Sequence, residues 1–162
     1  MQGRRVIPLA LTIALTLAPM ACASGGGGGG GSELLYREDI GRVLYQPLEI
    51  ARQKIWTKHS IPLLREENAG RNLMWESHWI ERTPLASELA LGARNRVTMR
   101  GYQVGENLDG TGNYRMTWEV QNQIRTAATP EWHPVPFPDE VRDIFRRVYN
   151  DLMMEVRAGV RR

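Results

Sequence analysis

Residues 114–125 read "YRMTWEVQNQIR". Tyr114, Met116, Trp118, Val120 and Ile124 alternate there with Arg115, Thr117, Glu119, Gln121, Gln123 and Arg125. A period of two sends the apolar side chains to one side of an extended chain and the polar ones to the other. No other stretch constrains the fold so strongly, because a long strand with one dry and one wet face needs an antiparallel sheet covered on one side only. Residues 96–104 ("RVTMRGYQV") read as its hairpin partner across the turn-rich run 105–113 ("GENLDGTGN").

The covering layer is also legible. Over residues 138–156, Val141, Ile144, Phe145, Val148, Tyr149, Leu152, Met153 and Val156 recur at steps of three and four, the spacing of one helix face. Pro138, Asp139 and Glu140 suit the first turn of that helix, and Arg157 and Gly159 suit its end. Ile40, Val43, Leu44, Pro47, Leu48, Ala51 and Ile55 keep helical spacing as well, with Pro47 placing the start of a regular helix that runs to about Lys58. A second hairpin is expected from 61–65 ("IPLLR") and 71–82 ("RNLMWESHWIER"), turning at 66–70 ("EENAG"). A short helix is expected after Thr83-Pro84, ending before Gly92. The predicted fold is therefore a two-layer α+β domain: about four antiparallel strands in two hairpins, packed against an N-terminal helix and a long C-terminal helix.

The first fifth of the chain differs from the rest. Residues 1–5 carry Arg4 and Arg5 and no acid, and residues 6–20 carry no charge. That apolar run is short for a membrane span and is broken by Pro8 and Pro19, which suits an export signal. Ala21-Cys22 follows, holding the only cysteine, and then a segment with seven consecutive glycines (residues 25–31). A basic start, an apolar run, a small residue before cysteine and a small or polar segment after it resemble a bacterial lipoprotein. The resemblance implies a diacylglyceryl group on Cys22, cleavage before it and acylation of the new amino terminus. It also implies a place in the cell envelope at the outer membrane, since Ala23 rather than Asp follows the cysteine.

Pro19 and Met20 depart from the usual residues before such a cysteine, and Ala21-Cys22-Ala23 also fits ordinary cleavage after Ala23. The second route would discard Cys22 and release a secreted binding domain. On the lipoprotein reading the chain divides into a signal peptide (1–21), a lipidated cysteine with a Gly/Ser-rich tether (22–32) and a single domain (33–162). A Gly-rich coil over residues 23–32 would span roughly 18 Å on average and at most about 35 Å. The predicted element order is similar to that of small envelope lipoproteins such as the C lipoprotein of the bacterial β-barrel assembly machinery. That likeness is architectural and transfers no residue.

Charge narrows the function classes. The formal net charge is +3, but Arg4 and Arg5 leave with the leader and the body is near neutral. That balance speaks against a nucleic-acid binder. With one cysteine there is no internal disulfide. Asn107, Asp109 and Thr111, with Gly112, imitate the start of an EF-hand loop, but Trp118 stands where the bidentate glutamate belongs. His59, His78 and His133, with Glu76 near His78, have no compact ligand spacing, so no metal is expected. No Gly-x-Ser-x-Gly elbow or phosphate loop is present, and the pairs Glu66-Glu67 and Asp139-Glu140 sit where a turn and a helix start would put acids. A protein without catalysis or cofactor is expected, the alternative being an envelope enzyme of unrecognised type.

The segment 129–140 ("TPEWHPVPFPDE") is held extended by Pro130, Pro134, Pro136 and Pro138, and displays Trp132, His133 and Phe137. Trp75 and Trp79 share one side of their predicted strand. These five residues are the candidate surface for a partner protein, since aromatic side chains on a stiff segment bind at low entropic cost. The alternative is a connector whose aromatic rings close the edge of the core. The sequence thus points to an exported, membrane-anchored protein with a structural, assembly or partner-binding role.

Overall fold

The computed structural model describes residues 34–106 and 112–159. The predicted signal peptide, Cys22, the tether and most of the EF-hand-like run lie outside the described residues. The elements, in chain order, are β1 (Leu35–Leu44), α1 (Tyr45–Lys58), β2 (Leu63–Ala69), β3 (Asn72–Ser77), β4 (Ile80–Arg82), a single 3-10 turn (Ala86–Glu88), β5 (Gly92–Glu106), β6 (Gly112–Arg125), β7 (His133–Pro134) and α2 (Asp139–Gly159). The strands form one antiparallel sheet in the order β1-β6-β5-β3-β2, with β4 on β5 and β7 on β6.

The two long strands pair as expected, over more residues than their alternation marks, with Trp118 opposite Met99 and Val120 opposite Val97. Around that centre the architecture departs from the prediction. The sheet has seven strands among the described residues rather than about four in two hairpins. Ile40, Val43 and Leu44 belong to β1, not to a helix. Their three-residue spacing arises from a bulge between Asp39 and Gly41, where Gly41 takes φ +83°. The extra residue shifts the alternation by one, so Ile40 and Val43 both face inward and imitate a helical stripe. β2 continues through Glu66, Glu67 and Asn68, the expected turn. As an edge strand with every residue exposed, it has no alternation to show. The helix expected after Pro84 is one 3-10 turn, and Gly92 opens β5.

Both helices lie on one face of the sheet. Val141, Phe145, Val148, Leu152 and Val156 of α2 and Leu48, Ala51, Ile55 and Trp56 of α1 join Trp75, Met99, Met116, Trp118 and Val120 in a single buried cluster. Lys54 and Lys58 of α1 reach Glu155 and Asp151 of α2, and His59 also contacts Asp151 at 2.9 Å. Toward the other end of this inner face, a polar clamp replaces apolar packing. Arg82 meets the Glu88 carboxylate with two nitrogens, at 2.5 and 2.7 Å, and donates to the side-chain oxygens of Asn95 and Asn122. Asn122 in turn donates to the carbonyl of Pro136 and its backbone carbonyl accepts from Val135. The clamp thereby fastens the proline-rich connector to β6. Among the described residues no helix is long and apolar enough to cross a membrane.

Candidate docking surface on the open face of the sheet

Among the described residues no element packs on the face of the sheet opposite the helices. Register places Arg37 and Arg42 of β1, Arg94, Arg96 and Arg100 of β5, Arg115 and Arg125 of β6 and Arg65 of β2 on that face. The carboxylates sharing it are Asp39, Glu67, Glu76, Glu81 and Glu119, so cations predominate. Some are internally balanced. Glu119 is buried, and Arg37 and Arg100 from the flanking strands close on it. Arg96 pairs with Glu76 at 3.4 Å and Arg115 with Asp39 at 3.3 Å.

At one end of this face two tryptophans and three arginines stack. The Arg94 guanidinium lies 4.3 Å from the Trp79 ring centre and 4.2 Å from that of Trp132. Arg96 covers the same Trp79 at 4.1 Å and Arg125 covers Trp132 at 5.0 Å. The sequence builds this locally. Arg94 and Arg96 are successive residues on the wet side of β5, and Arg125 lies opposite Gly92. Gly92 leaves the room that Trp132 needs, because a Cβ there would come within 3.1 Å of the indole. The irregular segment between β3 and β4 sets Trp79 beside the arginines, and the pairing of β7 with Gln123 and Ile124 brings Trp132 from the other side.

Stacking fixes the planes of the guanidinium groups and leaves their in-plane N–H edges for acceptors. Arg94 spends two of its donors on the Gln123 side-chain oxygen, at 3.0 and 2.7 Å. Burial, and then the neighbouring Arg96 charge, pulls its pKa below the ordinary arginine value. No carboxylate stands within ion-pair distance of Arg42, Arg94 or Arg125 among the described residues, although Glu81, opposite Arg94 across the strands, acts on it through space and favours its charge. On the same face, Met74, Arg100, Tyr102, Arg115 and Thr117 line a depression of about 420 Å³. Searched against protein-family models and curated proteins, the chain matches none.

The five aromatic and histidine candidates fall into two groups. Trp79, Trp132 and His133 are half-buried, and the first two form the stack. Trp75 and Phe137 are core residues with no surface to offer a partner. Trp75 is fully enclosed, and Phe137 packs against Tyr36 with ring centres 6.1 Å apart. Trp75 and Trp79 do not share a strand face, because β3 ends at Ser77 and the chain is irregular before β4. The His133 ring is in contact with the Glu131 carbonyl at 3.2 Å. Glu76 is engaged by Arg96, and among the described residues no group of His, Cys, Asp and Glu is placed to hold a metal ion.

Arg94, Arg96 and Arg125 were missed by the sequence reading. Their signal was present as arginine at alternate positions in "RNR" (residues 94–96), of which only Arg96 fell within the expected strand. What turns solvated charge into a stack is the arrival of Trp79 and Trp132 from segments distant in sequence.

Proposed function

We propose that this chain is an exported, non-catalytic cell-envelope protein, anchored through lipid on Cys22, whose open sheet face docks an acidic surface of an envelope protein partner. The observation that carries the docking reading is the Trp79–Arg94–Trp132–Arg125 stack. It is a pre-ordered set of guanidinium groups, with Arg94 and Arg125 outside any ion pair among the described residues, on a face that no part of the described chain covers. Pre-ordering lowers the entropic cost of binding, and Trp and Arg are the side chains that carry most binding energy at protein interfaces. Charge complementarity selects carboxylate-bearing partners. The interspersed Glu67, Glu76 and Glu81 favour a protein over an anionic bilayer, because a bilayer repels every carboxylate on the face while a protein surface can match a mixed pattern. The anchor reading rests on residues 1–32, with a Gly-rich tether short enough to hold the domain near its membrane.

Two measurements test the two parts. Mass spectrometry of the mature amino terminus should find acylated Cys22, and accumulation of precursor under globomycin should accompany it. An unmodified terminus at Ser24 would refute the anchor. For the docking face, a photo-crosslinking residue is placed at Tyr102 or Thr117, with Ile144 on exposed α2 as the control, and irradiated in native membranes. One protein adduct should form from the sheet-face positions only and disappear in R94E/R125E and at high salt. Adducts from Ile144 alone, or insensitivity to both charge reversal and salt, would overturn the docking reading. Sedimentation of the non-acylated domain with phosphatidylglycerol vesicles, without a protein adduct, would overturn it in favour of lipid.

A further inference from the structure

A second site lies on the other side of the molecule, independent of the docking face. Between the C-terminal half of α1 and the start of β2 is a cavity of about 620 Å³, lined by Arg52, Gln53, Trp56, Thr57, Ser60, Ile61, Pro62 and Leu63. The end of α1 shapes it. Ser60 takes φ +52°, and the Ile61 N–H reaches back to the Trp56 carbonyl at 2.7 Å, which turns the chain sharply so that Ile61 and Pro62 form a wall.

Arg52 is the unusual member. It occupies a buried position on the inward stripe of α1, between Leu48 and Ile55, and is only 4% exposed. Its guanidinium lies 5.1 Å from the Trp75 ring centre and 5.5 Å from that of Trp56. Among the described residues it makes no ion pair, and its Nε has no acceptor. The indole N–H groups of Trp56 and Trp75 are likewise buried without acceptors. Three orphaned donors, one of them on a cation, therefore share one neighbourhood. Glu49, Glu66 and the Tyr45 hydroxyl act on Arg52 through space and favour its charge, yet burial outweighs them and lowers its pKa. Buried polar groups in folded proteins nearly always have partners, and a buried cation without one is costly.

We infer that this cavity binds a carboxylate carried on an apolar group, with the Arg52 guanidinium as counter-ion. The single cation suits a monoanion. Trp56, Ile61, Pro62 and Leu63 supply apolar wall, and a volume of about 620 Å³ holds far more than a carboxylate alone. Two sources provide that chemistry: the C-terminal residue of a peptide and a medium-length fatty acid. Thr57, Ser60 and Gln53 add neutral hydrogen-bonding groups at the same wall.

The full chain is titrated calorimetrically with N-acetyl-leucine and octanoate, each beside its uncharged amide, N-acetyl-leucinamide and octanamide. At least one acid should bind at least tenfold more tightly than its amide, and the tighter acid identifies the source. Arg52→Met, a side chain of similar length without the charge, should abolish that preference. If R52M does not fold, Leu63→Trp, which adds bulk at the exposed rim of the cavity, should abolish binding of both acids. Equal binding of acid and amide, no binding by either acid at several millimolar, or a preference that survives in R52M or L63W would overturn the inference.

Discussion

Replacing Arg82 by methionine tests whether the polar clamp, rather than apolar packing, holds the proline-rich connector on the sheet. The Glu88 side chain is only 6% exposed, and among the described residues Arg82 provides its sole cation, through contacts of 2.5 and 2.7 Å. In R82M the carboxylate stays buried without a counter-charge, and the side-chain oxygens of Asn95 and Asn122 each lose a donor. Breaking one side of a buried, hydrogen-bonded ion pair costs about 3–5 kcal/mol. For a domain of this size that corresponds to a fall in melting temperature of roughly 10–15 °C. The double variant R82M/E88M leaves no stranded charge and should recover at least half of the loss.

The pH dependence gives a sharper sign. Burial pushes the Glu88 carboxyl up, but the hydrogen bonds from Arg82 and from the Leu85 N–H outweigh it, and the pKa falls below the ordinary glutamate value. A depressed folded-state pKa means that the stabilisation is present above the ordinary carboxyl range and lost as pH falls through the depressed value. Without Arg82, burial governs and the folded-state pKa rises above the unfolded one. R82M should then gain stability on mild acidification where the wild type does not. Urea unfolding at pH 7 and pH 4.5, followed by tryptophan fluorescence, measures both effects. A loss below about 1 kcal/mol, or a double variant no better than the single, would refute the reasoning.

Arg94→Met removes two ring contacts at once and should cost about 1–2 kcal/mol in the same assay, with Trp132→Ala and R94M less than additive because they remove a shared contact. Gly101→Ala should destabilise by about 2–3 kcal/mol, since a Cβ there would overlap the Arg115 carbonyl oxygen and the Met116 sulfur; a change within 0.5 kcal/mol of wild type would contradict that geometry. Asp151 accepts from Lys58 and His59 across the helix pair, and these hydrogen bonds hold its carboxyl below the ordinary aspartate value. Its contribution is present above the ordinary carboxyl range and fades as pH falls through the depressed value. Asp151→Asn should therefore flatten the acid limb of the stability profile while leaving Arg94 variants unchanged relative to it.

Elements with one buried face announced themselves. The dry stripe of β6 and the helical stripe of α2 follow from burial on a single side, which writes a period of two or of 3.6 directly into residue type. β2 and β1 did not, for different reasons. β2 is an exposed edge with nothing buried to impose a period, and β1 carries a bulge that makes a strand's inward residues repeat at three. In the site, the aromatic richness of segment 129–140 was visible, but not the division that puts Phe137 in the core and Trp132 on the open face. Arg52 was hidden for the same kind of reason: a single arginine on a helical stripe reads as a break in the pattern until Trp56 and Trp75 are seen around it.

By itself, the sequence determined that the long hairpin of β5 and β6 has one dry face and that a long amphipathic helix covers it. Those properties are local, set by the order of residue types along one segment. Only the tertiary structure decided which arginines have counter-charges, which tryptophans are surface and which face of the sheet is left bare. Charge compensation and exposure depend on residues brought together from different strands, and a pairwise distance such as that between Arg94 and Trp132 does not exist until the sheet has formed.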